Sequence, residues 1–144
     1  MNGWLLDTNV VAELIRPAGS RAVKDWAAAR DERTLYLSIL TIAEYDKGIA
    51  NLPDDDPRRP VFSHARDALA ARFGRRLLGL TDAVARRWGV TSGTVRRQTG
   101  HPPPVIDTLL AATAIEHGLT LVTRNVKDVR ASGCAVLNPW DENS

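Results

Sequence analysis

The chain has 144 residues, of which 44% are hydrophobic and 25% charged, and its formal net charge is +2. This is the composition of a globular protein, and we expect residues 1–144 to form a single domain with its own core. The one cysteine, Cys134, excludes an internal disulfide framework and a cysteine cluster for zinc. No apolar run approaches the roughly 18 residues of a membrane span, and the N-terminus lacks a signal-peptide pattern. We therefore expect a soluble protein of the cytoplasm that does not enter membranes.

Short runs of β-favouring residues alternate with helical segments along the chain. The predicted elements are, in chain order, a strand over 3–6, helices over 9–15 and about 20–30, a strand over 34–38, helices over 41–51, about 60–78, 81–98 and 105–117, and strands over 119–123 and 134–138. Gly118 is a typical stop for the helix before it. The alternation indicates an α/β fold with a central, mainly parallel sheet flanked by helices.

Four acidic residues occupy similar positions, because each lies at the end of a predicted strand or near the start of a predicted helix. They are Asp7, Glu44, Asp107 and Asp128. In open α/β sheets, ligands bind outside the carboxyl ends of the strands, so residues that are distant in sequence can converge there. The pattern therefore predicts either a metal-binding cluster or a set of helix caps, and the spacing alone leaves both open.

The capping alternative is specific for two of these positions. Thr41 and Glu44 have the spacing of a capping box, in which the glutamate accepts a hydrogen bond from the threonine N–H, and Asn125 and Asp128 have the same spacing. Asp7 can cap the helix that follows it. Capping would account for these residues without any chemistry.

Asp107 is harder to explain as a cap alone. Its neighbours at helical spacing, Leu110, Ala111 and Ala114, form an apolar face that we expect to turn inward. An ionised carboxylate beside such a face requires a hydrogen-bond donor, a cation or a metal ion. Asp107 is therefore the position that most favours the metal interpretation.

The middle of the chain is strongly basic. Residues 58–97 contain ten arginines against Asp67 and Asp82, a net charge of +8, so the rest of the chain carries −6. The planar fork of arginine suits phosphate recognition. An Arg-rich overall composition explains the same count without a binding role, and the sequence does not decide between the two.

Four segments together resemble a known family. They are LLDTNVVAEL (5–14), LSILTIAEYDKGI (37–49), PVIDTLLAATAIEHGLTLVTRNVKDV (104–129) and VLNPW (136–140). Their order and separations resemble those of PIN-domain ribonucleases of the VapC or FitB type, which are toxins of bacterial toxin-antitoxin pairs. The resemblance implies a PIN-like three-layer fold and a metal-dependent endoribonuclease.

The resemblance also implies roles for individual residues. Asp7, Glu44 and Asp107 would bind Mg²⁺ or Mn²⁺, with Thr8 and Thr123 flanking the site and Asn9 bracing the loop. The family often has an acid where this chain has Asn125, and other members use one near Asp128, so the fourth site residue is either of these two. Because Asn125 carries no charge, a catalytically silent PIN-fold module that binds RNA or protein is the alternative function.

The partners implied by the resemblance are an RNA substrate and a cognate antitoxin, with a homodimer and a toxin-antitoxin hetero-oligomer as assemblies. The expected RNA- or antitoxin-facing residues are Arg86, Arg87, Arg96, Arg97 and Arg124.

Overall fold

A single parallel sheet forms the centre of the computed structural model, which describes residues 3–141. Its strands are β1 (Trp4–Leu6), β2 (Leu35–Ser38), β3 (Leu77–Leu78), β4 (Thr120–Val122) and β5 (Val136–Leu137). The strands are ordered β3-β2-β1-β4-β5, and every neighbouring pair is parallel. The predicted α/β class with a mainly parallel sheet is confirmed.

Helices cover both faces of this sheet. They are α1 (Thr8–Ile15), α2 (Arg21–Ala28), α3 (Ile39–Asn51), α4 (Arg58–Phe73), α5 (Asp82–Thr99), α6 (Val105–His117) and α7 (Val126–Arg130). None of the helices in residues 3–141 is long and apolar enough to cross a membrane. Gly118 ends α6 with a left-handed φ of 65° and an N–H that bonds back to the helix, as its sequence position predicted.

The sheet separates two apolar cores, because successive residues of a strand point to opposite faces. On one face Leu6 and Leu37 pack with Val11, Trp26 and Phe73, which belong to α1, α2 and α4. On the other face the strands pack against α6 and α7. That second core contains Leu5, Leu40, Leu110, Ala111, Ala114, Leu119, Leu121 and Val129. The expected inward face of the helix around Asp107 is therefore confirmed.

Near the edge strand β3, one predicted boundary is wrong and one strand was not predicted. The helix expected over about 60–78 ends at Phe73, because Gly74 takes a positive φ of 51°. Leu77 and Leu78 then pair with Leu37 and Ser38 as a fifth strand. A two-residue strand behind a basic helix leaves little periodicity in the sequence, and the five-residue helix α7 was missed for the same reason.

Neither proposed capping box forms. Helix α3 begins two residues earlier than expected, and Ser38 caps it by accepting a hydrogen bond from the Leu40 N–H at 3.0 Å. Thr41 is consequently inside the helix and fully buried. At α7, Asn125 occupies the cap position but makes no capping hydrogen bond with its side chain. Capping therefore does not explain Glu44 or Asp128.

The strand order brings the proposed site residues to one edge. β1 lies between β2 and β4. After β1 the chain forms β2 and β3 on one side of it, and then crosses to the other side of β1 to form β4 and β5. Such a switch point is where ligands bind in open parallel sheets. Asp7 follows β1 directly at this point.

Candidate active site

Asp7 is both a helix cap and the centre of the site. Its Oδ1 accepts a hydrogen bond from the Thr8 N–H at 2.7 Å, which caps α1, and its Oδ2 accepts one from the Thr123 hydroxyl at 2.7 Å. The backbone N–H of Asp7 donates to the Val122 carbonyl at 2.9 Å, which ties the residue to β4. Burial raises the pKa of Asp7, and the hydrogen bonds from Thr123 and Thr8 oppose that rise.

Glu44 projects from α3, on the next element along the edge. Its side chain is largely exposed, but partial desolvation and the charge on Asp7 raise its pKa, while Lys47 lowers it. The Thr8 and Thr41 hydroxyls lie 2.9 Å apart and share a hydrogen bond. This bond joins the start of α1, which follows Asp7, to the start of α3, the helix that carries Glu44.

Asp107 lies in the first turn of α6. Burial comes first among the causes that raise the pKa of Asp107 to about 6, followed by the negative charges of Asp7, Asp128 and Glu44. The Asp107 carboxylate therefore interacts electrostatically with all three other predicted acids. The fold thus brings the other three acids within electrostatic range of Asp107, while their grouping around one metal ion stays a prediction.

The fourth position is divided between two residues. The Asn125 N–H donates to the Thr123 hydroxyl at 3.0 Å, and Asn125 is exposed. Asp128, in the first turn of α7, raises the pKa of Asp107. The negative charge at the fourth position thus comes from Asp128, whereas the backbone N–H of Asn125 orients the Thr123 hydroxyl.

Asn9 lies beside this group with one unused acceptor. Its Nδ2 is 3.4 Å from Asp7 Oδ2, a long hydrogen bond, and its Oδ1 is buried without a partner in residues 3–141. A buried carbonyl oxygen without a donor is unfavourable unless a water or a cation approaches it.

The donors at this edge are carboxylate and amide oxygens, the class that a hard divalent cation prefers. Within residues 3–141, however, no group of three or more histidine, cysteine, aspartate or glutamate side chains is placed so that it could hold a metal ion by itself. Mg²⁺ needs no such set, because it usually keeps several waters and binds one or two carboxylates. Burial, and then the negative charges of Asp7, Asp128 and Glu44, raise the pKa of Asp107, and a cation would relieve the part that is due to these charges. The unpartnered Asn9 Oδ1 is an oxygen donor of the class that Mg²⁺ prefers.

Most of the basic middle segment is already neutralised. In the part of the chain that the structure describes, seven of its ten arginines form ion pairs, six of them with acids outside residues 58–97. Arg86 pairs with Asp82 and Arg87 with Glu116, whereas Arg96 and Arg97 are exposed in the last turn of α5. The net charge of +8 therefore overstates the positive surface.

Sequence reasoning missed two contacts of the site. Thr41 was interpreted as a cap, yet it is a buried partner of Thr8. Arg124 lies with its guanidinium carbon 4.8 Å from the centre of the Trp140 ring, a contact that joins two of the recognised segments. No local pattern signals either contact, because both depend on which strands are neighbours.

The sequence profile of the PIN domain matches residues 4–131. The chain therefore belongs to the PIN domain family. It is 35% identical over 139 residues to the VapC ribonuclease Y4jK of Sinorhizobium fredii, covering 95% of this chain and 97% of the relative. It is 30% identical to the toxin FitB of Neisseria gonorrhoeae, covering 96% of this chain and 99% of the relative.

Solved structures agree with this assignment. The structure of FitAB bound to an IR36 DNA fragment superposes with a TM-score of 0.84 at 30% identity and covers 95% of both chains. The crystal structure of FitAcB from Neisseria gonorrhoeae superposes with a TM-score of 0.83 at 31% identity and covers 96% of this chain and 99% of that chain. The PIN-like three-layer fold and the VapC and FitB resemblance are thereby confirmed.

Proposed function

We propose that this protein is a Mg²⁺- or Mn²⁺-dependent endoribonuclease that acts as the toxin of a toxin-antitoxin pair, with residues 1–144 as one cytoplasmic domain. The observation that carries the proposal is the buried Asp7 directly after β1, whose carboxylate is oriented by Thr8 and Thr123. The charges of Asp7, Asp128 and Glu44 act on Asp107, which supports placing all four acids at one site. Membership of the PIN domain family and the likeness to VapC and FitB proteins support it.

Asp7, Glu44 and Asp107 would hold the cation, and Asp128 or Asn125 would complete the site. A bound divalent cation supplies water activation and neutralises charge on the phosphate and leaving oxygen. Thr123 orients Asp7 through a hydrogen bond of 2.7 Å, and the Thr8 to Thr41 bond joins α1 to α3, the helix that carries Glu44. In the hydrolysis a water oxygen bonds to phosphorus and the bond to the 3′ oxygen breaks, leaving a 3′-hydroxyl and a 5′-phosphate.

The test is cleavage of total bacterial RNA with Mg²⁺, Mn²⁺ or a chelator, followed by sequencing of the fragment ends. We expect discrete cuts with either metal and none with the chelator. Asp7→Asn should abolish cleavage while circular dichroism shows an intact fold. The matched control is Asp67→Asn, which removes one charge from an exposed aspartate on α4.

A catalytically silent module is the second candidate. The uncharged Asn125 and the open arrangement of the acids favour it. It predicts that RNA stays intact with every metal and that Asp7→Asn binds RNA or a partner as well as the wild type does. Cleavage that requires both metal and Asp7 would exclude it.

We propose that the cognate antitoxin docks in a groove between α1, α2 and α4. This groove has a cavity of about 460 Å³ with an apolar lining that includes Val11, Ile15 and Phe73. Arg30 and Lys24 line it as well and form no ion pair within residues 3–141. Apolar lining with unpaired cations suits an apolar segment that carries acidic residues. Such a segment is the occupant that we propose.

Substitution in the groove tests this docking. Ile15→Asp places a charge at a lining residue that is 46% exposed, so the fold should tolerate it. We expect growth inhibition by the toxin to persist and rescue by the antitoxin to fail. Val61→Asp, at an exposed residue of α4 outside the lining, is the control and should leave the rescue unchanged. Unimpaired rescue of Ile15→Asp would exclude this groove.

We also propose a homodimer that binds the antitoxin as a hetero-oligomer. The exposed apolar side chains Val90, Val105 and Ile106 on α5 and α6 support a second interface. Light scattering of the purified toxin and of the complex measures both assemblies, and a monomeric toxin would contradict the homodimer.

A further inference from the structure

Arg124 and Trp140 form a fixed pair at the same sheet edge as the carboxylates. Arg124 comes two residues after β4, and Trp140 comes three residues after β5. β4 and β5 are parallel neighbours, and β4 is also the parallel neighbour of β1, which ends at Asp7. The carboxyl ends of these three strands therefore bring the acid, the cation and the indole ring to one edge.

The backbone of Arg124 is anchored to the site through the preceding residue. The Thr123 hydroxyl donates to Asp7 Oδ2 and accepts a hydrogen bond from the Asn125 N–H, so contacts on both sides of Arg124 are fixed. Adjacent Cα atoms are about 3.8 Å apart, so Arg124 begins within one residue of a contact to Asp7. The backbone of Trp140 is held in turn, because its main-chain N–H donates to Asn138 Oδ1 at 3.0 Å.

The charge of Arg124 is not neutralised by an ion pair. Within residues 3–141 it pairs with no carboxylate, in contrast to Arg87, which pairs with Glu116. Its guanidinium carbon lies over the Trp140 ring, 4.8 Å from the ring centroid. This contact pairs no guanidinium N–H with a carboxylate, and the planar fork of an arginine matches two oxygens of a phosphate.

We propose that Arg124, braced by Trp140, binds a backbone phosphate of the RNA that flanks the phosphate to be cut, and so sets the register of the strand over the carboxylates. The inference rests on the proposed nuclease function. An acidic edge repels a polyanion, and a braced cation next to that edge provides a fixed attachment for the backbone. A carboxylate of a partner protein is the rival occupant, and the experiment separates the two.

The experiment compares Arg124→Gln with Arg75→Gln. Arg75 is exposed just before β3, at the opposite edge of the sheet, and forms no ion pair within residues 3–141. Both variants lose one positive charge, so a purely global charge effect would be equal in the two. Melting temperatures within a few degrees of the wild type establish that both fold.

The first measurement is RNA binding against salt concentration, in the Asp7→Asn background that prevents cleavage, with a fragment containing the cut site as the probe. Arg124→Gln should reduce the slope of log affinity against log salt by about 1, the loss of one phosphate contact, and Arg75→Gln should not. With Asp7 restored, Arg124→Gln should raise KM about tenfold and change kcat less than about threefold. Trp140→Leu should change KM in the same direction, and Arg124→Lys should recover part of the loss.

Equal slopes and equal KM values for Arg124→Gln and Arg75→Gln would overturn the inference while leaving the nuclease function standing. A loss of antitoxin binding in Arg124→Gln with RNA binding unchanged would assign the cation to the partner carboxylate instead. If the wild type neither binds nor cleaves RNA, the proposed function fails, and the inference fails with it.

Discussion

Replacing Asp107 with asparagine should stabilise the metal-free protein, although the same change should abolish cleavage. Burial and three neighbouring carboxylates raise the pKa of Asp107 from 3.8 to about 6. A pKa difference of one corresponds to about 1.4 kcal/mol, so full removal of the charge would give at most about 3 kcal/mol. The side chain is only partly buried, and solvent screening reduces this to about 1–2 kcal/mol. Asparagine also loses the interaction with the α6 dipole, about 0.5 kcal/mol, which leaves a net gain of about 1 kcal/mol.

The pH dependence gives this prediction its sign. Because the pKa of Asp107 is higher in the folded state, the folded protein binds more protons than the unfolded chain between about pH 4 and 6. The destabilisation by Asp107 is therefore complete above pH 6 and disappears as the pH falls toward 4. The advantage of Asp107→Asn should be largest at pH 7.5, a rise in melting temperature of about 2–4 °C, and should vanish near pH 4.

Thermal denaturation in a chelating buffer from pH 4 to 8 measures this. The matched control is Glu116→Gln, which removes a carboxylate from the same helix that forms an ion pair with Arg87. Its stability should stay equal or fall slightly at pH 7.5, the opposite sign. A less stable Asp107→Asn at pH 7.5 would refute the reasoning, because it would mean that the carboxylate has a favourable partner in the metal-free fold.

Three further changes test other contacts. Millimolar Mn²⁺ should raise the melting temperature of the wild type and leave that of Asp7→Asn unchanged. A ligand that binds only the folded state stabilises it by about 2.7 kcal/mol when its concentration is about a hundred times Kd. Equal shifts in the two proteins would exclude Asp7 as a metal ligand. Thr123→Val should lower the free energy of unfolding in urea by about 1–3 kcal/mol, because it removes the hydroxyl that donates to buried Asp7. Thr94→Val loses only a hydrogen bond to the Val90 carbonyl on an exposed helix face, and its free energy of unfolding should stay within about 0.5 kcal/mol of the wild type. Gly74→Ala should lower the free energy of unfolding by about 1–3 kcal/mol, because the φ of Gly74 is 51°. Gly93→Ala, inside α5 with free space where a Cβ would stand, should be neutral or stabilising. Equal effects would show that Gly74 does not need its positive φ.

The sequence predicted most of the sheet because strands β1, β2, β4 and β5 are short apolar runs bounded by polar residues. β3 could not be predicted, since Leu77–Leu78 has no period of its own and becomes a strand only by pairing with β2. Gly74 was the available signal, because a glycine inside an apparent helix is often its end. The fold class was therefore predictable, while its edge depends on tertiary pairing.

The sequence predicted that Asp7, Glu44, Asp107 and Asp128 lie near one another, and the fold brings the other three within electrostatic range of Asp107. How these acids are held was not predictable. Residues 38 to 41, Ser-Ile-Leu-Thr, contain two candidate caps, and only the end of β2 decides that Ser38 serves and Thr41 is buried. The choice between Asn125 and Asp128 is likewise invisible in the sequence. Placing α7 beside α6 lets the charge of Asp128 act on Asp107.

The two interpretations of Asp7, cap and ligand, are compatible because a carboxylate has about four acceptor sites. One is used by the Thr8 N–H and one by the Thr123 hydroxyl, each at 2.7 Å, and the Asn9 amide makes a longer hydrogen bond of 3.4 Å to Oδ2. These bonds favour the ionised form, and they offset part of the desolvation of a residue that is only 6% exposed. They also fix the carboxylate plane, so the remaining acceptor sites have a defined direction. The turn from β1 into α1 thus orients the charge of Asp7. As a metal ligand, the Asp7 carboxylate needs no support beyond the hydrogen bonds that the fold already makes.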